Sequence, residues 1–345
     1  MTGLAQLTRH RLFWPIVALV VLLLASTLKS HSFLEVTVRD GHLYGAPIDI
    51  LRRSSILLLV ALGMTLVIAT RGIDLSVGAV MAIAGAVTLT QIASSPDPGA
   101  VSTVAVAMLT GLAVCLVIGV FNGFLVAVLG IQPIIATLVI MTAGRGIAML
   151  ITGGQITTVT SAPYKTLASG FWLGLPVAAL IAGVFFAVVA LVTRRTALGV
   201  LIESVGINPT ASRLAGVRAR TIIWTVYVLC ALFACIAGFL QSSNIMAADS
   251  NNAGLFIELD AILAVVIGGT SLAGGKFSLT GTLVGVLVIT TLTLSITVIG
   301  IPVNAVSLFK ALVVIVVCLL QSPVVQHKLR ARRRQAAPVP VEVPA

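Results

Sequence analysis

Thr70-Arg71-Gly72-Ile73-Asp74-Leu75-Ser76-Val77-Gly78 separates two apolar runs, residues 54–70 and 77–93, that contain no ionisable side chain. Two glycines, a serine, and Arg71 with Asp74 at the three-residue spacing that would pair them on a helical turn interrupt continuous hydrophobicity. Non-helical backbone at membrane depth is stable only when it is buried in protein or faces a water-filled path. The stretch therefore reads in one of two ways. Either a discontinuous helix lies beside a pathway, or a tight turn sits at a membrane surface with Asp74 capping the next helix. Either way the flanking runs are membrane helices, because 20-residue apolar segments match a bilayer core of about 30 Å.

Similar runs recur along all 345 residues. The chain is 59% hydrophobic and 9% charged, with mean hydropathy +1.16, whereas a soluble domain carries about 25% charged residues. The expected fold class is an all-α integral membrane protein of about ten transmembrane helices with discontinuous segments. The predicted helices are 13–28, 54–70, 77–93, 101–121, 133–152, 172–192, 222–241, 259–268, 279–296 and 305–320. The eighth is too short to span alone. The first follows Arg9 and Arg11 like a signal peptide, but it has no clear small-residue cleavage site and reads as a retained helix. The expected domains are an N-terminus of residues 1–12, a transmembrane domain over 13–320 and a basic, Pro-rich tail over 321–345 that should be disordered.

The net charge of +11 does not mark a nucleic-acid binder, since it sits in short loops and one tail, where Lys and Arg set topology. With both termini in the cytoplasm of an inner-membrane protein, 14 of the 21 Lys and Arg lie inside. Five lie outside (Lys29, Arg39, Arg52, Arg53, Lys165), and Arg145 and Lys310 fall within spans. The outside cluster at 29–53 fits this arrangement poorly, although Glu35, Asp40 and Asp49 share the segment. Residues 54–152 and 222–320 suggest an inverted repeat, but their Gly-rich breaks do not line up.

Catalytic groupings are missing from the sequence. His10, His31, His42 and His327 are dispersed, no Ser-His-Asp set is present, and Cys115, Cys230, Cys235 and Cys318 lie in apolar runs without metal-ligand spacing. No cofactor, metal or catalytic residue is expected. The break Gly268-Gly269-Thr270-Ser271-Leu272-Ala273-Gly274-Gly275-Lys276 superficially resembles a phosphate loop, but Thr270 replaces its first glycine and Phe277 its metal-binding hydroxyl. Energy must come from elsewhere. Arg71, Asp74, Ser76, Asn122, Thr270 and Ser271 are candidates for a pathway, and Asn208, Asn244, Asn251 and Asn252 are further possible polar contacts. The longest inner loop, 193–221, has an Asn208-Pro209 helix start. A short amphipathic helix pair there would suit a soluble partner or rest on lipid headgroups. The docking candidates are Gly199, Glu203, Gly206, Asn208, Ala211, Arg213 and Gly216.

These same segments resemble the permeases of ribose-type sugar ABC importers. The strings that carry the resemblance are Leu62-Gly63-Met64-Thr65-Leu66-Val67-Ile68 with Gly72-Ile73-Asp74-Leu75-Ser76-Val77-Gly78, Val205-Gly206-Ile207-Asn208 with Ala211 and Gly216, and Asp260-Ala261-Ile262 with Gly268-Gly269. Asp40-Gly41, Pro47-Ile48-Asp49-Ile50-Leu51, Ile202-Glu203 and Asn251-Asn252-Ala253-Gly254-Leu255 look closest to the galactofuranose branch. The resemblance implies a second permease subunit, a cytoplasmic ABC ATPase and a periplasmic sugar-binding protein, with lipid around the spans. Two positions depart from the pattern: Arg71 stands where these permeases usually carry Gly, and Gly130 where a Lys commonly precedes Ile131-Gln132-Pro133. The competing classes are an ion-coupled secondary transporter, which would need midplane charge beyond Arg71 and Asp74, and a membrane scaffold, which leaves the polar breaks unexplained.

Overall fold

A computed structural model describes residues 12–30, 32–39, 41–300, 302 and 305–321. The elements in chain order begin with α1 (Phe13–Lys29), a hairpin of β1 (Thr37–Arg39) and β2 (His42–Tyr44), α2 (Ala46–Ala69), α3 (Val77–Ala93), α4 (Val101–Ala127) and α5 (Pro133–Ile151). After them come β3 (Thr157–Thr158), α6 (Ala162–Ser169), a hairpin of β4 (Phe171–Trp172) and β5 (Leu175–Pro176), and α7 (Val177–Arg195). The last part holds α8 (Ala197–Ile207), α9 (Pro209–Leu214), α10 (Ala219–Ile245), β6 (Ala247–Ala248), α11 (Ile257–Ile267), α12 (Leu279–Ile299) and α13 (Val306–Gln321).

Local chemistry sets the ends. Pro47 and Pro133 occupy first-turn positions of α2 and α5, where a missing N–H is harmless. The Ser278 hydroxyl caps α12 by accepting from Gly281 N at 3.1 Å, and Gly300 closes it at φ +85°. A helix overlaps each of the ten predicted segments. Six of them (α2, α4, α5, α7, α10 and α12) are long and apolar enough to cross a membrane. α1 and α3 have 17 residues each, about 25 Å of rise against a core of about 30 Å. The sixth predicted segment starts late: residues 171–176 form the β4–β5 hairpin, because Gly174 takes a positive φ and Pro176 sits ahead of the helix.

α2, α3 and α10 form the buried centre, walled by α11 and α12. The Ser26 hydroxyl on α1 meets that of Ser295 on α12 at 2.6 Å. α4, α5 and α7 turn long apolar side chains outward, among them Leu109, Val139 and Leu191, as lipid-facing helices do. The two segments compared as a repeat, 54–152 and 222–320, meet at one crossing. The break before α3 touches the break before α11, and the contact is reciprocal: a Cβ on Gly78 would strike the Gly254 carbonyl, and one on Gly254 would lie 2.8 Å from that of Gly78. Around this crossing α2 packs on α11 and α12 as α10 packs on α3 and α4.

Candidate functional site

Arg71 holds φ +67°, the left-handed region that Gly enters freely and other residues enter at a cost of about 1–2 kcal/mol. Arg71 N donates to Ile68 O at 2.9 Å and Gly72 N to Val67 O at 3.0 Å, which closes the end of α2. The expected pairing of Arg71 with Asp74 is not made. Helical spacing does not apply across a left-handed residue, and the Arg71 guanidinium instead donates to the carbonyl of Ile207. Gly206 packs so closely here that a Cβ would overlap the Ala69 carbonyl, and Gly275 N donates to that same oxygen at 2.9 Å. The α2 end, the α8 end and the loop 268–276 thus meet at one junction.

Asp74, Ser76 and Asn122 form one buried chain. The Asp74 carboxylate accepts from Ser76 N at 2.9 Å and Ser76 Oγ at 2.6 Å, and Asn122 Nδ2 donates to Ser76 Oγ at 2.7 Å. All three are at most 1% exposed, and none lines either polar cavity described below. Thr137 Oγ1 donates to Ile73 O at 3.2 Å and accepts from Leu75 N at 3.1 Å. The extended stretch is therefore satisfied by side chains, as buried backbone must be. Thr270 is buried and accepts from Ser278 N at 3.3 Å, while Ser271 is exposed and accepts from Ala273 N at 3.2 Å. Both shape the loop before α12.

The second break is held from α5. Arg145 Nη1 donates to the carbonyls of Ser250 at 3.1 Å and Ala253 at 2.5 Å, and Ser250 Oγ donates to Ala148 O at 3.0 Å. The Asn252 side chain donates to Asp249 Oδ2 at 2.7 Å. Asn251 and Asn252 both serve this Asp249 turn. Glu258 is buried beside the Gly78–Gly254 crossing.

The inner-loop candidates divide into two groups. Gly199 and Gly206 are buried, and a Cβ on either would overlap a backbone oxygen, of Thr193 and of Ala69 respectively. They seat α8 rather than offer surface. Glu203 is half-buried, and Asn208 caps α9 by accepting from Thr210 N at 3.1 Å and Ala211 N at 3.0 Å. Ala211, Arg213 and Gly216 are exposed. Beside them Leu214 is 86% exposed, an apolar side chain on a short helix with nothing covering it.

At the other end of α2 lies a cavity of about 340 Å³ among α2, α10, α11, α12 and α13. Its polar lining is Arg52, Arg53, Gln241, Asn244, Asp260, Thr290, Thr293 and Lys310. Lys310 Nζ bonds Asp260 Oδ2 at 2.7 Å, which ties α13 to α11. Arg52 and Arg53, from the basic cluster at 29–53, face this cavity together with Lys310. Of its lining only Asn244 was named from the sequence as a possible contact. Gln241, Thr290 and Thr293 were passed over, though polar residues in apolar runs were a usable signal. Donors and acceptors around one cavity suit a ligand rich in hydroxyls. A third cavity, of about 430 Å³ between α4, α6, α7 and α10, is lined only by apolar side chains such as Leu112, Phe185 and Leu232.

Residues 46–318 match the family described as branched-chain amino acid transport system / permease component. The chain is 47% identical to the galactofuranose transporter permease protein YtfT of Escherichia coli (strain K12), over 91% of this chain and 92% of that one. It is 42% identical to the fructose import permease protein FruF of Bifidobacterium longum (strain NCC 2705), over 96% and 92%. It is 37% identical to the ribose import permease protein RbsC of E. coli (strain K12), over 79% and 84%. No solved structure matches the chain.

Proposed function

This chain belongs to the branched-chain amino acid transport system / permease component family, and from that membership we propose that it is the membrane subunit of an ATP-driven monosaccharide importer. The family description points to amino acids, but the relatives matched over most of the chain are named for galactofuranose, fructose and ribose. Galactofuranose is the sugar we assign. The single observation that carries the reading beyond likeness is the polar cavity between α2 and α11–α13. Its polar side chains come from five helices and offer both donors and acceptors to a ligand rich in hydroxyls.

Ten crossings account for the helices better than six. α3 reaches the thickness of the core when the extended residues 72–76 are added to it, and α11 does so with the returning stretch 249–256. On this reading residues 13–320 are the transmembrane domain of an inner-membrane protein. Both termini, including the 321–345 tail, are cytoplasmic by the distribution of Lys and Arg. α8 and α9 then face the cytoplasm and receive an ATPase, which hydrolyses ATP in a separate subunit. A periplasmic binding protein delivers the sugar to the opposite face, and a second permease subunit and lipid surround the spans.

The test is uptake into proteoliposomes holding the permease, its ATPase and its binding protein. Galactofuranose should enter with ATP and not without it, and leucine should not enter. Uptake that needs no ATPase and stops with an ionophore would replace this reading with the ion-coupled one.

A further inference from the structure

The geometry points to a sugar subsite at the mouth of the chain, walled by Tyr44, Asp49, Arg52 and Phe171, that receives one sugar ring before the inner polar cavity does. This rests on the sugar-import reading. A cavity of about 240 Å³ lies between the β1–β2 hairpin, the first turns of α2 and the β4–β5 hairpin. That is below the range of about 300–1,000 Å³ typical for drug-sized ligands, and suits a single ring.

Its walls differ in kind from those of the inner cavity. The inner lining has no aromatic side chain, whereas here Tyr44 and Phe171 lie 5.4 Å apart at a 48° tilt, with His42 stacked on Phe171 at 4.6 Å. Leu43 N donates to Gly174 O at 3.2 Å and locks the two hairpins together, so the aromatic wall is preformed. The C–H face of a sugar packs against such a ring as other apolar groups do. Opposite stands an ion pair on one turn of α2, Arg52 Nη2 to Asp49 Oδ1 at 3.1 Å. The side chains are 35% and 48% exposed, and Asp49 Oδ2 has no protein partner among the described residues. A carboxylate that accepts and a guanidinium that donates satisfy vicinal hydroxyls together.

Arg52 also lines the inner cavity. It is the wall common to both spaces, so a ring released from the mouth passes one side chain to reach Gln241, Asn244 and Thr293. The aromatic face gives the mouth selectivity for a ring. The inner cavity, without one, holds the same sugar weakly and lets it move on.

The permease–ATPase complex in nanodiscs, with the binding protein left out, separates the possibilities by saturation-transfer NMR using methyl β-D-galactofuranoside. Ring-proton transfer is expected for the wild type and for Val139→Ala, on the outward face of α5 and outside both polar cavities. It should fall at least tenfold for Tyr44→Ala and Asp49→Ala, and Tyr44→Phe should restore it. Normal co-elution of the ATPase serves as the folding control. Absent transfer in the wild type, or transfer unchanged in Tyr44→Ala and Asp49→Ala, overturns the subsite. ATP-dependent uptake in the same preparations is read separately: Asp49→Ala should raise KM about tenfold with Vmax kept. Uptake without mouth binding would sink the subsite and leave the importer reading standing, whereas mouth binding without uptake would do the reverse.

Discussion

Arg71 donates its guanidinium hydrogen to the carbonyl of Ile207, the last residue of α8, from a backbone in the left-handed region. One side chain thus joins the break before α3 to the helix expected to meet the ATPase. A cation at a helix C-terminus contributes about 0.3–1 kcal/mol, while the left-handed backbone costs a non-glycine residue about 1–2 kcal/mol. Arg71→Gly removes both effects and should leave thermal stability close to wild type. Arg71→Ala keeps the strain and loses the bond, so it should be about 1 kcal/mol less stable than Arg71→Gly. Melting of the purified complex orders the three, and Ala equal to Gly would refute the account. The ratio of ATP hydrolysed to sugar moved should rise in both variants, because α8 is no longer tied to the break.

Asp74 is partnered by Ser76 rather than by Arg71. Changing Arg71 therefore cannot rescue a change at Asp74. The double variant Arg71→Gly with Asp74→Asn should transport no better than Asp74→Asn alone at matched expression. Ser76→Ala removes a donor to Asp74 and the acceptor of Asn122 at once. Leaving such groups unsatisfied costs about 1–3 kcal/mol, so Ser76→Ala should lower stability by that order. Recovery of wild-type transport in the Arg71/Asp74 double variant would restore the ion-pair idea.

The inner loop gives a sharper contrast. Gly206 has no room for a Cβ, and overpacking a tight site costs about 1–3 kcal/mol. Gly206→Ala should therefore reduce folded yield, and loss of ATPase binding by a bulkier residue there would report misfolding rather than docking. Leu214 is 86% exposed, so Leu214→Glu should leave the fold and melting temperature intact. It should still abolish co-purification of the ATPase. A Leu214→Glu complex that assembles normally would remove α9 from the interface.

These outcomes mark where the sequence was readable. Apolar runs placed a helix at every expected position, because membrane helices are set by local hydrophobicity and need little tertiary context. The Asn208-Pro209 start of α9 was legible for the same local reason. Arg71 was misread because its three-residue spacing from Asp74 implies proximity only on a helix, and φ is not written in residue type when the residue is not Gly. The departure from the family's glycine was the one visible clue. Gly206 could not be sorted into packing or surface, since both favour small residues. The inner cavity was hidden for a different reason: Arg52, Gln241, Asp260, Thr290 and Lys310 come from five helices, and no pattern within any one of them announces the meeting.

Asp260 and Lys310 close the argument, because they connect α11, which follows the second break, to α13 across the inner cavity. Their side chains are 27% and 18% exposed, between a solvated pair worth about 0.2–1 kcal/mol and a buried one whose breakage costs about 3–5 kcal/mol. In a partly buried pair the loss of one partner leaves the other charge poorly solvated, whereas loss of both does not. Lys310→Met and Asp260→Asn should each destabilise the complex, and the double variant should be more stable than the sum of the two predicts. A coupling of about 1 kcal/mol or more is expected for residues in direct contact. If the pair also holds α11 in place at the cavity, the single variants should lose sugar uptake and the double variant should regain part of it. A double-mutant cycle on melting and on uptake rates decides both points. Zero coupling in melting would make the pair a solvated surface contact, and zero coupling in uptake alone would confine its role to stability.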